Sequence, residues 1–426
     1  QDSISAQVAD ALIHQLTGEE RARISKRGTE NPKAYEAFLR GRFYWHSYEV
    51  ENLAKSLVCF YEAIAHDPDF ALAYTGVADY FNFLSVFGLM SPEESFPAAR
   101  EAAQKAIELD DASAEAYTSL AVAILGYDWN FAESERLLKK ALELNPNYGE
   151  AHVWYGHLLG LQNKHEDALR EMKRAERLNT VSASLLINYA IRLRDARRFE
   201  EALAKIREAQ KMSPNYNISI QAFSWVVDYM DIGAEAEEAC RVAYEKNENL
   251  SLPAYAYAYV LASNGKREEA LRLAEKLEER KKQTYVPSSY LGLIYTALGE
   301  IDQAYKWLDR AFAERDFWAI WLPVDPRYDA LKTDPRFNLY AAKIRPADDE
   351  DIHLSHIPTR IFQPADLERP KAAAEKKEPE KMPEEAAERT PEKIPEKVPA
   401  PAPVSKEGFP RRYAFASIAA AVVIGL

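Results

Sequence analysis

The sequence predicts an all-α fold of stacked helical hairpins forming an α-α superhelix. Three observations carry that prediction. A column of small residues recurs with a 34-residue period, a second small column precedes it by seven residues, and helix breakers are scarce over the first 340 residues. The chain has 426 residues with 15 Gly and 23 Pro, and about half of the Pro lie after position 345.

The main column is Ala63, Ala106, Ala141, Ala175, Ala209, Ala243, Leu277 and Ala311, spaced by 34 from Ala141 onward after two steps of 43 and 35. Seven residues earlier stand Ser134, Ala168, Ala202, Ala236, Ala270 and Ala304, and nineteen earlier Gly156, Ala190, Ser224, Ala258 and Gly292. A large apolar residue usually precedes the last set, as with Tyr155, Tyr189, Phe223, Tyr257 and Leu291. Small side chains let two helices cross closely, and large ones beside them fill the flanking space. Breakers or polar residues such as Pro68, Pro146 and Pro214 end each second helix and restart the unit. A hairpin of this size cannot bury its own apolar face, so the units must stack.

These columns resemble the tetratricopeptide repeat family. Leu291, Gly292, Tyr295, Ala304, Leu308 and Ala311 reproduce most of its hairpin pattern in one unit. Eight units are expected over residues 31–316. The second carries the insertion FLSVFGLMSPEESFP, and the first has a longer turn around His46 to Glu51.

The flanks divide into four parts. Residues 1–30 hold an amphipathic pattern, Ile4, Val8, Leu12 and Leu16, read as an N-terminal cap. Residues 317–345 supply Trp318, Trp321, Leu322, Tyr328, Leu331 and Phe337, read as a C-terminal cap over the last hairpin. Residues 346–410 are rich in Pro, Glu and Lys with few apolar residues, the composition of a disordered spacer. Residues 411–426 form a basic pair and an apolar run that stops at Leu426, read as a truncated transmembrane helix that would hold the repeats at the cytoplasmic face of a membrane. Both ends read as cut from a larger protein, and without a membrane span the expectation is a cytoplasmic one.

QDSISAQVADALIHQLTGEE, ENPKAYEAFLRGRFYW and DPRYDALKTDPRF resemble a bacterial multidomain group in which repeats follow a TolB-like domain. The resemblance spans roughly residues 1–344. It implies the regulatory part of a signalling protein. The alternative is the sensory or substrate-recruiting region of an adenylate cyclase, a Ser/Thr kinase or a glycosyltransferase whose catalytic domain lies elsewhere.

Charge and motifs narrow the function. With 67 acidic and 54 basic side chains the net charge is −13 and no basic stripe runs through the body, so nucleic acid is not an expected partner. No Gly-rich phosphate loop occurs, and HEDAL at His165 lacks a second His. His152 and His157, five apart, lack a third ligand nearby in sequence. No catalytic, cofactor-binding or metal-binding residues are expected. Cys59 and Cys240, in helical apolar surroundings, read as buried thiols.

The expected function is therefore an interaction scaffold for a protein or peptide. In the family, the first helix of each hairpin lines the concave surface. Carried over, that places His157 of unit IV, Ile187, Ile191 and Arg194 of unit V, Gln221, Trp225, Asp228 and Tyr229 of unit VI, and Tyr255 and Tyr259 of unit VII in a partner-binding groove. Chaperone-binding members clamp a carboxylate with Lys and Asn at these places. Here Ile187, Gln221 and Tyr255, and Ile191, Trp225 and Tyr259, stand instead, which disfavours that clamp. An aromatic surface of Trp225, Tyr229 and Tyr259 is the expected anchor region.

Overall fold

The computed structural model describes residues 28–45, 50–178, 182–213 and 221–344. The expected N-terminal amphipathic helix, the Pro-rich spacer and the terminal apolar run lie outside the described residues. Among the described residues there is no strand. No helix among them is long and apolar enough to cross a membrane.

The hairpins follow in order. Unit I pairs α1 (Pro32–Trp45) with α2 (Val50–His66), unit II α3 (Ala71–Val86) with α4 (Pro92–Leu109), and unit III α5 (Ala114–Tyr127) with α6 (Phe131–Leu144). Unit IV pairs α7 (Gly149–Leu161) with α8 (His165–Leu178), and unit V α9 (Ala183–Asp195) with α10 (Phe199–Met212). Unit VI contributes α11 (Gly233–Lys246), unit VII α12 (Ser251–Ser263) and α13 (Arg267–Lys281), and unit VIII α14 (Ser288–Ala297) and α15 (Ile301–Ala313). A short α16 (Arg336–Ile344) follows.

The small columns sit at the helix crossings. Ala63, Ala106, Ala141, Ala175, Ala209, Ala243 and Ala311 are all 0% exposed, and Leu277 is buried among them. A Cβ on Gly156 would lie 2.8 Å from Cε of Met172, so the crossing in unit IV requires its absence. The starts of α5 and α6 show side-chain caps of the usual kind. Ser113 accepts from the N–H of Ala116 at 3.1 Å and Asn130 from that of Glu133 at 3.0 Å.

In units III, IV, V, VII and VIII the turn inside the hairpin also keeps the 34-residue period. Trp129, Asn163, Arg197, Gly265 and Gly299 all adopt positive φ, between 57° and 76°. One left-handed residue ends the first helix and reverses the chain. Unit VI breaks this series. A regular first helix is expected there, yet Ala222–Trp225 and Val227–Tyr229 are 3-10 turns joined at Val226, whose φ is −127°. Adjacent β-branched Val226 and Val227 favour helix weakly, and side chains on either side of the break are held by other units, as described below.

The insertion in unit II lengthens its hairpin. Gly88, at φ +66°, turns the chain after α3, and the N–H of Leu89 returns to the carbonyl of Leu84 at 2.8 Å. A Cβ on Gly88 would come within 2.5 Å of Cγ of Pro287, just before α14. Unit II thus touches unit VIII, and the solenoid curls back on itself. Beyond α15, 3-10 turns at Phe317–Trp321 and Pro326–Thr333 run into the concavity. They also touch the last hairpin, where Tyr305 donates to the carbonyl of Leu331 at 3.2 Å. α16 packs there too, with Tyr340 stacked on Tyr305 at 5.3 Å and donating to Asp309 at 2.5 Å.

Candidate functional site

The first helices line the concave surface, and the chain's own residues 317–329 occupy much of it. Trp318 Nε1 donates to the carbonyl of Val86 in α3 at 2.8 Å. Trp321 lies 6.4 Å from the ring of His157 and 5.8 Å from the guanidinium of Arg192. Asp325 reaches Arg194 at 3.2 Å, Arg327 donates to the hydroxyl of Tyr255, and the carbonyl of Pro326 accepts from Tyr229 at 2.7 Å. At the rim Arg197 pairs with Asp329 at 2.6 Å.

Every groove residue expected from the sequence can be placed in this frame. Ile187, Arg194, Gln221, Tyr255 and Tyr259 are buried. Tyr255 stacks on Tyr290 at 4.3 Å, and Arg327 stands 5.6 Å over the ring of Tyr259. Tyr229 stacks on Phe199 at 4.1 Å, and Trp225 lies 6.0 Å from the guanidinium of Arg194. Asp228 is exposed at its edge and accepts from the hydroxyl of Tyr259. The aromatic surface of units V to VII is therefore filled by the C-terminal segment rather than open. The physical reason is a charge network that the sequence reading missed.

That network holds Arg192, Arg194 and Arg327 against Asp195 and Asp325, all buried. Asp195 accepts from Arg194 at 2.6 Å, and Arg192 faces it at 2.9 Å as a charge pairing rather than an aligned hydrogen bond. Asp325 accepts from Arg327 at 2.6 Å. Burial alone would raise the Asp325 carboxyl, but Arg194 and Arg327 outweigh it and bring its pKa down to about 2. Burial brings Arg192 down to about 10 against the pull of Asp195. Gly160 makes room for this guanidinium, because a Cβ there would meet Nη1 of Arg192. The available signal was RLRD at 192–195, two cations and an anion on a helix flank otherwise apolar.

A cleft of about 210 Å³ remains open beside the segment. Its walls come from the first helices of units I to V, through Arg42, Asp79, Asn82, Phe83, Ser119, Glu150, Trp154, Asn188 and Ile191 among others, closed at one end by Phe317, Trp318 and Trp321. His157 and Ile191 are the expected groove residues that line it. Asp79 accepts from Ser119 at 2.5 Å, and burial lifts its pKa to about 6. Glu150 is exposed on its own helix but faces the concavity; protein around it, and Asp79, raise its carboxyl. His157 Nε2 meets Oδ1 of Asn188 at 2.8 Å, and burial and Arg192 hold its pKa well below the usual value.

Outside the cleft, His152 meets Glu171 at 2.6 Å and the carbonyl of Pro146 at 2.9 Å, so both ring nitrogens are structurally engaged. Among the described residues no three His, Cys, Asp or Glu side chains come together as a metal site. Both cysteines are buried and free, and burial pushes the Cys240 thiol up to about 12.

Residues 137–170, spanning most of α6, all of α7 and the start of α8, match the family model described as a tetratricopeptide repeat. This stretch is similar to a tetratricopeptide repeat, and it lies within the stack of helical hairpins described above. Solved structures with similar repeats include a thermophilic tetratricopeptide protein of Thermus thermophilus, 18% identical over 45% of this chain and 97% of that one, with a TM-score of 0.37. YrrB, described as a tetratricopeptide protein with an unusual peptide-binding site, is 17% identical over 48% and 97%, with a TM-score of 0.28. The human IFIT1 dimer with m7Gppp-AAAA is 15% identical over 66% and 71%, with a TM-score of 0.49. No curated protein matches the chain.

Proposed function

We propose that this tetratricopeptide array is an interaction scaffold that holds an extended segment of a partner protein in the open cleft of units I to V. The observation that carries the reading is the cleft itself, a concave aromatic and polar surface built from five successive first helices. Successive parallel helices present a row of side chains along which a peptide can lie, with aromatic anchors as the energetic centre. His157 and Ile191 belong to this surface. Trp225, Tyr229, Tyr255 and Tyr259, with Ile187, Arg194, Gln221 and Asp228, become partner-binding only when the C-terminal segment leaves them. We further propose that the scaffold belongs to the regulatory part of a bacterial multidomain signalling protein. That larger role rests on the resemblance of the flanking sequences to the TolB-containing group.

Selection of a random dodecapeptide phage library on the full chain tests the reading. Recovered peptides should bind wild type and lose most of their affinity for Trp154→Ala, with helicity unchanged by circular dichroism. Equal binding to the variant, or no peptide above background, would overturn it.

A further inference from the structure

We infer that the open cleft is an anchor site for a cationic side chain, a lysine or arginine carried by the bound segment. The inference rests on the peptide-scaffold reading above and names the chemistry of that site. Four acceptors belong to residues that line the cleft. Two are the carboxylates of Asp79 and Glu150, the first of which raises the proton affinity of the second. The third is Oδ1 of Asn82, a buried residue whose Oδ1 has no partner. Its amide orientation is set, because Nδ2 donates to the carbonyl of Ser119 at 2.9 Å. The fourth is Nδ1 of His157, also buried and without a partner.

The tautomer of His157 follows from its neighbour. Asn188 donates through Nδ2 to the carbonyl of Ser184 at 3.0 Å, so its Oδ1 faces the imidazole. Nε2 must then carry the proton, and Nδ1 presents a lone pair. Leaving such acceptors unpaired in a buried place costs free energy, and a group with several N–H donors removes that cost. An ammonium or guanidinium also gains from the aromatic face of Trp154 in the same wall.

Arg42 already lines the cleft and lowers the carboxyls of both Asp79 and Glu150. Two carboxylates and two neutral acceptors still outnumber this guanidinium, so the balance favours a second positive group. An anionic ligand would meet both carboxylates, and an apolar one would leave Asn82 and His157 unsatisfied. Nε1 of Trp321, a buried donor without a partner in the same cleft, suits a backbone carbonyl of the peptide.

The test extends the peptide selection on the full chain. Recovered peptides should carry one lysine or arginine between apolar residues. A synthetic copy with norleucine at that position should bind wild type roughly ten- to a hundredfold more weakly, the effect of one charge-assisted hydrogen-bonded contact. The Asp79→Asn, Glu150→Gln double variant should bind both copies equally. Recovered peptides without a cation, or a norleucine copy that binds wild type as tightly, would overturn the cation site and leave the scaffold reading standing. Failure to recover any peptide would remove both. The norleucine comparison is made on wild type, so a misfolded variant does not blunt it.

Discussion

Two Asp-Pro-Arg tripeptides show how one local motif serves two environments. In both, the Asp carboxylate accepts from the N–H of the Arg two residues on, at 3.0 Å in Asp325 and 2.9 Å in Asp334, while the guanidinium folds back onto it. Arg336 is partly exposed and shared with Asp302 at the surface, where an ion pair contributes little. Arg327 and Asp325 are buried against Tyr255 and Arg194, where each needs the other. Asp79 is the opposite case, a carboxylate whose burial raises its pKa to about 6. Its folded pKa lies above the ordinary carboxylate value, so the native state binds the proton more tightly. Stability is then full below about pH 4 and falls as the pH rises through about 6. Asp79→Asn, which keeps an acceptor for Ser119, should raise stability by roughly 1–3 kcal/mol at pH 8 and change it little at pH 4. Urea unfolding at the two pH values measures this; an equal effect at both would contradict the assignment.

At the scale of elements, the hairpin turn is the repeated device. Gly265 adopts φ +76° and a Cβ there would meet nothing within 4 Å. Gly265→Ala therefore probes backbone conformation alone and should destabilise by roughly 1–2 kcal/mol, read from the urea midpoint. A negligible change would mean that the turn relaxes out of the left-handed region. Unit VI shows the limit of a periodic pattern. Its small column, Ser224 and Ala236, is buried as in the other units, yet its first helix is broken into 3-10 turns. Tyr229 bonds to Pro326 and Asp228 to Tyr259, and these tertiary contacts override local helix preference.

At the scale of the molecule, the insertion in unit II meets the start of unit VIII, and residues 317–329 fill the concavity between them. Asp325 is the buried anion of this segment, paired with Arg194 and Arg327. Asp325→Ala leaves Arg327 and part of Arg194 buried without a counter-ion, a loss of roughly 3–5 kcal/mol. Amide hydrogen exchange should quicken across residues 317–334 and the urea midpoint should fall. Because Asp325 titrates near 2, below its ordinary range, its stabilising contribution is present above about pH 4 and is lost as the pH falls through about 2. Unchanged exchange in the variant would show that apolar contacts from Trp318 and Trp321 hold the segment without it.

Much of the architecture was legible from residue types alone. Close crossings need small side chains, so the spacing of Ala141, Ala175 and Ala209 marks the hairpins and their phase. The resemblance to tetratricopeptide repeats implied a groove along the first helices, and His157 and Ile191 line the cleft there. It could not say whether that groove is open. The burial of Tyr255 and Tyr259 depends on Asp325 and Arg327, which are distant in sequence and carry no period. The sequence by itself determined the repeat and the aromatic character of the first helices in units VI and VII, since these follow from short-range spacing and residue type. Only the tertiary structure decided that this surface is filled from within and that an acceptor-lined cleft stays open beside it, because both depend on where the end of the array returns.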